Sequence, residues 1–315
     1  MEKGTVYKST GSWYNVKLES TGNFVEARIK GKFRIKGIRS TNPVAVGDKV
    51  FLTPDNHGTY IITDIEERKN YLLRKSINLS KKYHILAANV DQVIILISLI
   101  NPKTYTAFID RILVSAEAYH IPPILVFNKI DLYKNDEELS GKLTFLTDTY
   151  TKIGYRCLHT SVTQKTGLDE FAQILKNKTG VLIGHSGVGK SSIINSIYPN
   201  LNLKTGDISK QHHTGKHTTT FAEMYDLDTT TRIIDTPGVR GFGLIDFDKN
   251  ELSHYFPEMR EKMQQCKFNN CVHINEPGCA VKQALETGGI AEFRYLNYLS
   301  MYFDDEDETF RSKGY

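Results

Sequence analysis

The stretch Gly184-His185-Ser186-Gly187-Val188-Gly189-Lys190-Ser191-Ser192 decides how the rest of the chain is interpreted. It follows an apolar run at 179–183 and precedes a run of helical character, which is the context of a phosphate-binding P-loop. The glycines of such a loop turn backbone N–H groups toward a β-phosphate, and the helix start adds partial positive charge. We expect Lys190 to reach the β- and γ-phosphates and Ser191 to place its hydroxyl on Mg²⁺. The sequence predicts a nucleoside triphosphate site; the alternative is a glycine-rich turn without a ligand.

From residue 89 onward, apolar strands alternate with helical stretches. The strands are expected at 90–100, 124–127, 156–160, 179–183 and 231–234, and the helices at 106–120, 136–151 and 168–176. This alternation predicts a parallel sheet with helices on both faces. Ligands of such sheets bind at the carboxyl ends of the strands, where the motifs of this chain fall.

A second motif, Asn128-Lys129-Ile130-Asp131, follows the strand at 124–127 and has the Asn-Lys-x-Asp pattern of GTPases. Asp131 would accept hydrogen bonds from the guanine N1–H and exocyclic amine, which adenine cannot reproduce. The stem of Lys129 would lie along the base, and Asn128 would tie the loop together. After the next strand, 160–162 resembles the fifth GTPase motif, in which backbone N–H groups near Ser161 meet the guanine O6; an ordinary polar turn remains the alternative.

Two further segments have the form of nucleotide switches. Asp235-Thr236-Pro237-Gly238 matches Asp-x-x-Gly, in which Asp235 holds Mg²⁺ through water and the Gly238 N–H senses the γ-phosphate. The segment 215–220 has the form of switch I, and one threonine of 218–220, with Thr219 favoured, would complete the Mg²⁺ shell. Because the guanine motif precedes the P-loop here, the order indicates a circularly permuted GTPase domain, which surface termini tolerate.

The N-terminal region reads as a small basic barrel. Residues 1–82 hold 16 lysines and arginines against 8 aspartates and glutamates, so they carry +8 and leave −4 for the rest of a chain whose total is +4. Five short strands at 5–8, 13–19, 24–30, 49–52 and 60–66 predict an oligonucleotide/oligosaccharide-binding (OB-like) barrel, followed by a linker at 71–89. A basic stretch around Phe33 suits an RNA backbone, although a solvated hairpin is the alternative. Its members are Lys30, Lys32, Arg34, Lys36 and Arg39.

The C-terminal region carries a metal-ligand pattern. Cys266, Cys271, His273 and Cys279 lie within fourteen residues, a spacing that suits a closed tetrahedral zinc site with a structural role. Scattered core cysteines are the alternative, and Cys157 alone is expected to be a core residue. Helices are expected at 252–264 and 281–302. The chain starts without a signal-peptide pattern and shows no membrane-spanning run, so we expect a cytoplasmic protein that does not bind membranes.

These motifs together resemble the ribosome small subunit-dependent GTPase A (RsgA-type) family. The resemblance implies an OB-like, RNA-binding barrel at 1–72, a circularly permuted α/β GTPase domain at 73–243 and a mainly α zinc-binding domain at 244–315. It implies a GTP hydrolase, acting with Mg²⁺ and one structural Zn²⁺, that binds the small ribosomal subunit and its rRNA and assists late maturation. We expect a monomer. A nucleotide-gated RNA-binding module and a tRNA or translation-factor GTPase remain the alternatives.

The family likeness also bears on catalysis. Where Ras-like proteins have a water-orienting glutamine after Asp-x-x-Gly, this chain has Val239, so intrinsic hydrolysis should be slow. The resemblance favours His217 as the group that orients the water, beside Lys190 and Thr219 as the other catalytic residues. His185, Arg240 and ribosomal RNA remain alternatives for that role.

Overall fold

The N-terminal strands close into a five-stranded barrel. The structure, a computed structural model, describes residues 1–29, 43–55, 58–75, 83–203, 222–236 and 248–303. The barrel strands are β1 (Glu2–Ser9), β2 (Tyr14–Leu18), β3 (Phe24–Ile29), β4 (Lys49–Pro54) and β5 (Tyr60–Ile65). Strand β1 pairs with both β2 and β4, and β3 runs parallel to β5, which closes the order β1-β2-β3-β5-β4. Alternate residues such as Val16 and Leu52 point inward and are buried, which confirms the predicted OB-like barrel.

The prediction of a linker at 71–89 is wrong, because two further strands form there. Strands β6 (Tyr71–Lys75) and β7 (Tyr83–Ala88) make an antiparallel ribbon. Leu72 and Ala87 of the ribbon are fully buried in the core of the next domain, and this burial favours strands over a free linker. The ribbon also meets the barrel: the Ala88 N–H donates to the Val46 carbonyl at 2.9 Å. A Cβ on Gly47 would lie 2.0 Å from the Ala88 oxygen, so this approach requires glycine.

The central domain is the predicted parallel sheet, with one added strand. Its strands are β8 (Gln92–Ile97), β9 (Pro123–Asn128), β10 (Arg156–Thr160), β11 (Thr179–Ile183), β12 (Glu223–Asp226) and β13 (Arg232–Asp235). They run in the order β10-β9-β8-β11-β13-β12, all parallel except β12, which sequence reasoning did not anticipate. Successive residues of β8 enter two separate cores, Ile95 on one face and Ile94 on the other, so both faces are covered.

Helices cover both faces of this sheet. They are α1 (Thr106–Ala118), α2 (Glu137–Ile153), α3 (Leu168–Leu175) and α4 (Lys190–Ile197). Helix α2 shows why the ends fall where they do: the Asp136 side chain accepts from the Leu139 N–H at its start, and Gly154, at φ 110°, ends it in the left-handed region. Helices α1 and α2 pack on the Ile95 face, and α3 and α4 pack on the Ile94 face.

The C-terminal module consists of short helices. A 3₁₀ segment at Lys249–Tyr255 precedes α5 (Pro257–Met263), α6 (Ala280–Glu286) and α7 (Glu292–Tyr302). Both long helices expected here are therefore interrupted, the second after Glu286, where Gly288 adopts φ 73°. The buried face of α7 is formed by polar and aromatic residues such as Arg294 and Tyr298. Leu296 on the same helix is 54% exposed.

Several sequence predictions lie outside the described residues. These are the basic stretch from Lys30 to Arg39, the switch I segment with His217 and Thr219, and Gly238, Val239 and Arg240. Within the ranges that the structure covers, none of the helices has the length and apolar content needed to cross a membrane.

Candidate functional site

The P-loop connects β11 to α4 with glycines where the backbone demands them. Gly187 and Gly189 adopt φ values of 80° and 107°, which other residues reach only with strain. A Cβ on Gly189 would also lie 2.3 Å from the Asn128 side-chain nitrogen. Lys190 Nζ donates to the carbonyl oxygens of Gly184 at 2.9 Å and His185 at 3.3 Å, so its ammonium is held at the loop. The P-loop therefore has the backbone geometry and the lysine that phosphate binding requires.

The Asn-Lys-x-Asp loop is bonded directly to the P-loop. Asn128, the last residue of β9, donates from Nδ2 to the Val188 carbonyl at 2.9 Å and accepts from the Thr160 hydroxyl at 3.0 Å. Lys129 adopts a left-handed conformation, at φ 62°, and its Nζ donates to the Gly187 carbonyl at 2.8 Å. These bonds bring the two motifs together at one edge of the sheet.

Asp131 is held as an acceptor at this edge. The Ser161 hydroxyl donates to Asp131 Oδ1 at 2.6 Å. Burial alone would raise the pKa of Asp131, but hydrogen bonds from Ser161 and Thr163 outweigh it and lower that pKa, so the group is a carboxylate at neutral pH. The Ser161 N–H donates to the Thr166 carbonyl at 3.0 Å. Ser161 therefore contacts Asp131 through its side chain, while its own amide is engaged with Thr166.

The carboxylate of Asp235 lies beside the P-loop and fits a metal-binding role. Asp235 ends β13 and is paired in register with Leu182 of β11. Its Oδ1 is buried and has no hydrogen-bond partner among the described residues. Burial raises the pKa of Asp235, and the nearby Lys190 opposes that rise; burial in turn lowers the pKa of Lys190, against the pull of Asp235. An unpaired buried oxygen next to the loop that carries Ser191 fits an Mg²⁺ site.

The C-terminal module gathers the four predicted metal ligands. The donor atoms of Cys266, Cys271, His273 and Cys279 all lie within 4.8 Å of one another. His273 Nδ1 lies 3.4 Å from Cys279 Sγ and 3.7 Å from Cys266 Sγ. Three sulfurs and one nitrogen at such separations fit a single tetrahedral zinc ion, with metal–ligand distances of about 2.0–2.3 Å.

The loop of the metal ligands is fixed by groups around it. The Glu276 carboxylate accepts from the backbone N–H groups of Val272 at 2.7 Å, Ile274 at 2.8 Å and Asn275 at 3.0 Å. The Tyr295 hydroxyl on α7 donates to the His273 carbonyl at 2.7 Å. These bonds orient the ligands and attach the loop to α7.

Comparisons with known proteins match both the sequence and the fold. A family model described as RsgA GTPase matches residues 65–245, and one described as RsgA N-terminal domain matches residues 3–62. This chain belongs to the RsgA GTPase family.

Similar relatives cover nearly the whole chain. The small ribosomal subunit biogenesis GTPase RsgA of Flavobacterium johnsoniae is 55% identical over 307 residues, covering 96% of this chain and 94% of that protein. The protein of the same name from Christiangramia forsetii is 54% identical over 308 residues, covering 97% of each.

Solved structures agree in fold. The crystal structure of YjeQ from Thermotoga maritima superposes with a TM-score of 0.74 at 35% identity, covering 96% of this chain and 97% of that one. YloQ, described as a circularly permuted GTPase, gives a TM-score of 0.68 at 30% identity, covering 95% and 93%. The permuted order of motifs inferred from the sequence is therefore a feature that this RsgA chain shares with a solved protein.

In this RsgA-family chain the barrel is bonded to the hairpin that carries Asp235. Strand β1 pairs with β12 through Lys8 and Glu223, whose side chains also form an ion pair at 2.9 Å. The Tyr7 hydroxyl donates to Asp226 Oδ1 at 2.6 Å, and Lys17 donates to the other carboxylate oxygen at 2.6 Å. Burial and the Asp226 carboxylate raise the pKa of Tyr7 to about 12, so its hydroxyl stays a donor.

The C-terminal module is attached to the nucleotide domain through α1. Arg294 of α7 donates to Asp110 of α1 at 2.6 Å and to both carboxylate oxygens of Glu258, at 2.6 Å and 3.1 Å. Asn297 donates to the second oxygen of Asp110 at 2.6 Å, and the Tyr150 hydroxyl donates to the first at 2.8 Å. Burial raises the pKa of Asp110, and Arg294 opposes this as the nearest positive charge.

Helix α1 also contacts the P-loop. The Phe108 ring stacks on the His185 ring with centroids 4.2 Å apart and an interplanar angle of 29°. The sequence motifs indicated neither this stack nor the role of Glu276, because both depend on contacts that the spacing of a short motif does not specify. Thr160 belongs to the stretch that resembles the fifth GTPase motif, but that resemblance did not indicate the bond from its hydroxyl to Asn128. His217, Thr219 and Gly238 lie outside the described residues, so their roles stay predictions.

Proposed function

We propose that this chain is a cytoplasmic GTP hydrolase that binds the small ribosomal subunit and assists its late maturation, with turnover stimulated by that subunit. One observation carries the proposal: the guanine-reading loop and the P-loop are joined by the bond from Asn128 Nδ2 to the Val188 carbonyl. A nucleotide whose guanine binds to the first loop would therefore have its phosphates next to the second. The ribosomal role follows from relatives that are named small ribosomal subunit biogenesis GTPases.

In this proposal each described residue has one task. Asp131, an ionised carboxylate, accepts from guanine, and the backbone amides from Gly184 to Ser192 surround the phosphates. Lys190 leaves its two carbonyl partners and donates to the β- and γ-phosphates. Ser191 and Asp235 would hold Mg²⁺, which would neutralise charge on the phosphate oxygens.

The hydrolytic step requires a water positioned in line with the γ-phosphate. We assign this task to His217, with Thr219 contributing to the Mg²⁺ shell and the Gly238 N–H to the γ-phosphate. No water-orienting glutamine follows Gly238 in the sequence, since Val239 occupies that position. Hydrolysis by the isolated chain should therefore be slow, and contact with the subunit should complete the site.

The flanking domains would form the ribosome-binding surface. The excess positive charge of residues 1–82 favours a polyanion such as rRNA, because binding releases counterions. Zinc held by Cys266, Cys271, His273 and Cys279 would fix the C-terminal module in its folded form, with no position left for a catalytic water. Both modules are bonded to the nucleotide domain, so ordering of the switches by GTP could control how they are presented to rRNA.

The decisive experiment measures phosphate release from GTP by the purified chain, alone and with purified small subunits. We expect slow release alone, a marked increase with small subunits, and no comparable increase with large subunits or tRNA. ATP should be hydrolysed far more slowly, because Asp131 rejects adenine. Stimulation by tRNA instead of small subunits would overturn the ribosomal assignment and favour a translation-factor GTPase.

A variant tests the guanine assignment. Asp131→Asn should lower the affinity for GTP and raise that for xanthosine triphosphate, whose 2-oxo group needs a donor. The matched control is Asp136→Asn, at the start of α2, where the side chain caps the helix and makes no contact with the site. Unchanged base preference in Asp131→Asn would contradict the proposed role.

A further inference from the structure

Tyr133 lies just after the guanine motif and is the centre of a buried hydrogen-bond cluster. It follows the 3₁₀ turn Ile130–Leu132, and only 1% of its surface is exposed. Its hydroxyl donates to the Asn128 carbonyl at 2.8 Å and accepts from the Leu99 N–H at 2.8 Å. The Ser98 hydroxyl lies 3.1 Å from the same oxygen. One phenol therefore joins the end of β9 to the end of β8.

The segment that Tyr133 joins to the guanine motif is itself a closed loop. It spans residues 98–104, between β8 and α1, and we call it the 98–104 loop. The Thr104 N–H donates to the Ser98 carbonyl at 2.8 Å, and the Ser98 N–H donates to the Thr104 hydroxyl at 3.2 Å. Ser98 and Thr104 are both buried, so the bonds that close this loop are shielded from water.

A second bond joins the 98–104 loop to the guanine motif from the other side. Lys129 Nζ donates to the Asn101 carbonyl as well as to the Gly187 carbonyl of the P-loop. The guanine motif is thus attached to the 98–104 loop at two points, through Tyr133 to the Asn128 backbone and through the Lys129 side chain. The same two residues, Asn128 and Lys129, also make the bonds from the guanine motif to the P-loop.

We infer that Tyr133 is a positioning residue for nucleotide recognition: its hydroxyl holds the Asn128–Asp131 segment against the 98–104 loop in the conformation that binds guanine. The inference rests on the proposed guanine site. The hydroxyl suits this task because it is a donor and an acceptor at once. It donates to Asn128 at the end of β9 and accepts from Leu99, which follows β8.

The consequence of losing the hydroxyl can be derived from its partners. Tyr133→Phe keeps the ring but leaves the Asn128 carbonyl and the Leu99 N–H buried without a partner. The chain can satisfy them only by moving the guanine motif, which depopulates the binding-competent conformation. Apparent affinity falls in proportion to the competent fraction. We expect the γ-phosphate chemistry to be untouched, since the hydrogen bonds of the Tyr133 hydroxyl go to Ser98, Leu99 and Asn128 and not to the described residues of the P-loop or to Asp235.

The test measures the dissociation constant of a fluorescent GDP analogue and the subunit-stimulated KM and kcat for GTP. For Tyr133→Phe we expect the dissociation constant and KM to rise about tenfold with kcat unchanged, the pattern of lost uniform binding. Discrimination between GTP and inosine triphosphate, which lacks the 2-amino group, should narrow as Asp131 loses its fixed position.

The matched control is Tyr150→Phe, which removes a fully buried tyrosine hydroxyl from the same domain without touching the nucleotide site. It should lower stability while leaving KM and base discrimination at wild-type values. A second variant, Thr104→Val, removes one of the two bonds that close the 98–104 loop, the one from the Ser98 N–H to the Thr104 hydroxyl, without altering Tyr133, and should weaken GDP binding in the same direction.

The outcomes separate this inference from the proposed function. If the wild-type chain shows no preference for GDP over ADP, the proposed guanine site itself fails. If wild type prefers GDP but Tyr133→Phe and Thr104→Val both bind it with wild-type affinity, the positioning role is overturned while the guanine site stands. An equal loss of GDP affinity in Tyr133→Phe and Tyr150→Phe would also overturn the positioning role, because it would reflect lowered stability alone.

Discussion

Arg294 and Asp110 are 184 residues apart in the sequence, yet their side chains meet at 2.6 Å in a position with no solvent exposure on either. Arg294 belongs to the C-terminal module and Asp110 to α1 of the nucleotide domain. With Glu258 and Asn297 they form the polar centre of the contact between the two units. A buried charge of this kind requires its partner, because without the opposite charge the free-energy cost of removing it from water is not compensated.

Removing the cation should therefore be severely destabilising. Arg294→Met leaves the carboxylates of Asp110 and Glu258 buried without their counter-charge, and we expect a loss of about 3–5 kcal/mol in the free energy of unfolding. Arg260→Met is the control at the same contact, since Arg260 pairs at 3.5 Å with Glu117 of α1 and is 53% exposed. That variant should cost less than about 1 kcal/mol. Calorimetric melting of both variants checks the difference, and equal losses would refute it.

The P-loop glycine next to the guanine motif should tolerate no side chain. In Gly189→Ala the new Cβ meets the Asn128 amide at 2.3 Å and the backbone must keep a φ of 107°. We expect GDP binding to be lost in equilibrium titrations. Gly141→Ala places the same methyl in α2, with no atom within 4 Å, and should leave binding intact while raising stability by about 0.5–1 kcal/mol. Wild-type affinity in Gly189→Ala would show that the two loops separate readily.

Loss of the metal should unfold the C-terminal module. Cys271→Ser should lower bound zinc, measured by elemental analysis, from one equivalent toward zero. It should also lower the melting temperature, because binding free energy at such a site is folding free energy. Cys157→Ser is the control, since Cys157 is partly buried outside the ligand cluster. If both variants retained one zinc ion, the cluster would not be the metal site.

The β12–β13 turn should show a defined pH dependence. Asp228 accepts from the N–H groups of Thr230 at 2.8 Å and Thr231 at 2.7 Å, and these bonds lower its pKa to about 2. Because the folded pKa lies below the unfolded value, the stabilisation is complete above about pH 4 and is lost as the pH falls toward 2. Asp228 is exposed, so the effect should be below about 1 kcal/mol.

The measurement compares urea unfolding of wild type with that of Asp228→Ala. Their difference in free energy should be constant from pH 7 to 5 and should shrink below pH 4, in the window that the shifted pKa sets. A difference that grew on acidification would mean that the Asp228 carboxylate destabilises the turn.

The short motifs and the strands that carry them could be predicted from the sequence, because local spacing determines a P-loop or a set of thiolate ligands. The β6–β7 ribbon could not. Its strands are short, and the burial of Leu72 in the core of the next domain decides their conformation. The buried residues of α7 could not be predicted from an apolar pattern either, since Leu296 is exposed there. Arg294 and Asn297 are buried there by pairing with Asp110, a partner that no local pattern reveals.

For the site itself, sequence reasoning identified the residues that would touch a nucleotide but missed those that hold them. Asn128 and Asp131 stand in a recognisable pattern, whereas the bonds that Thr160 and Tyr133 make to Asn128 exist only once β8, β9 and β10 are aligned. Support of this kind depends on the register between strands. That register is a tertiary property.

The pairing of β1 with β12 makes the barrel strands and the nucleotide-domain strands parts of one eleven-stranded sheet. Strands from the first and the last third of the sequence are therefore hydrogen-bonded to each other. If the chain were cleaved between the barrel and the ribbon, we expect the two fragments to remain associated and to sediment together. The two domains should also share a single rotational correlation time. Rotation of the barrel relative to the nucleotide domain would require breaking the contacts of Lys8 with Glu223 and of Tyr7 with Asp226.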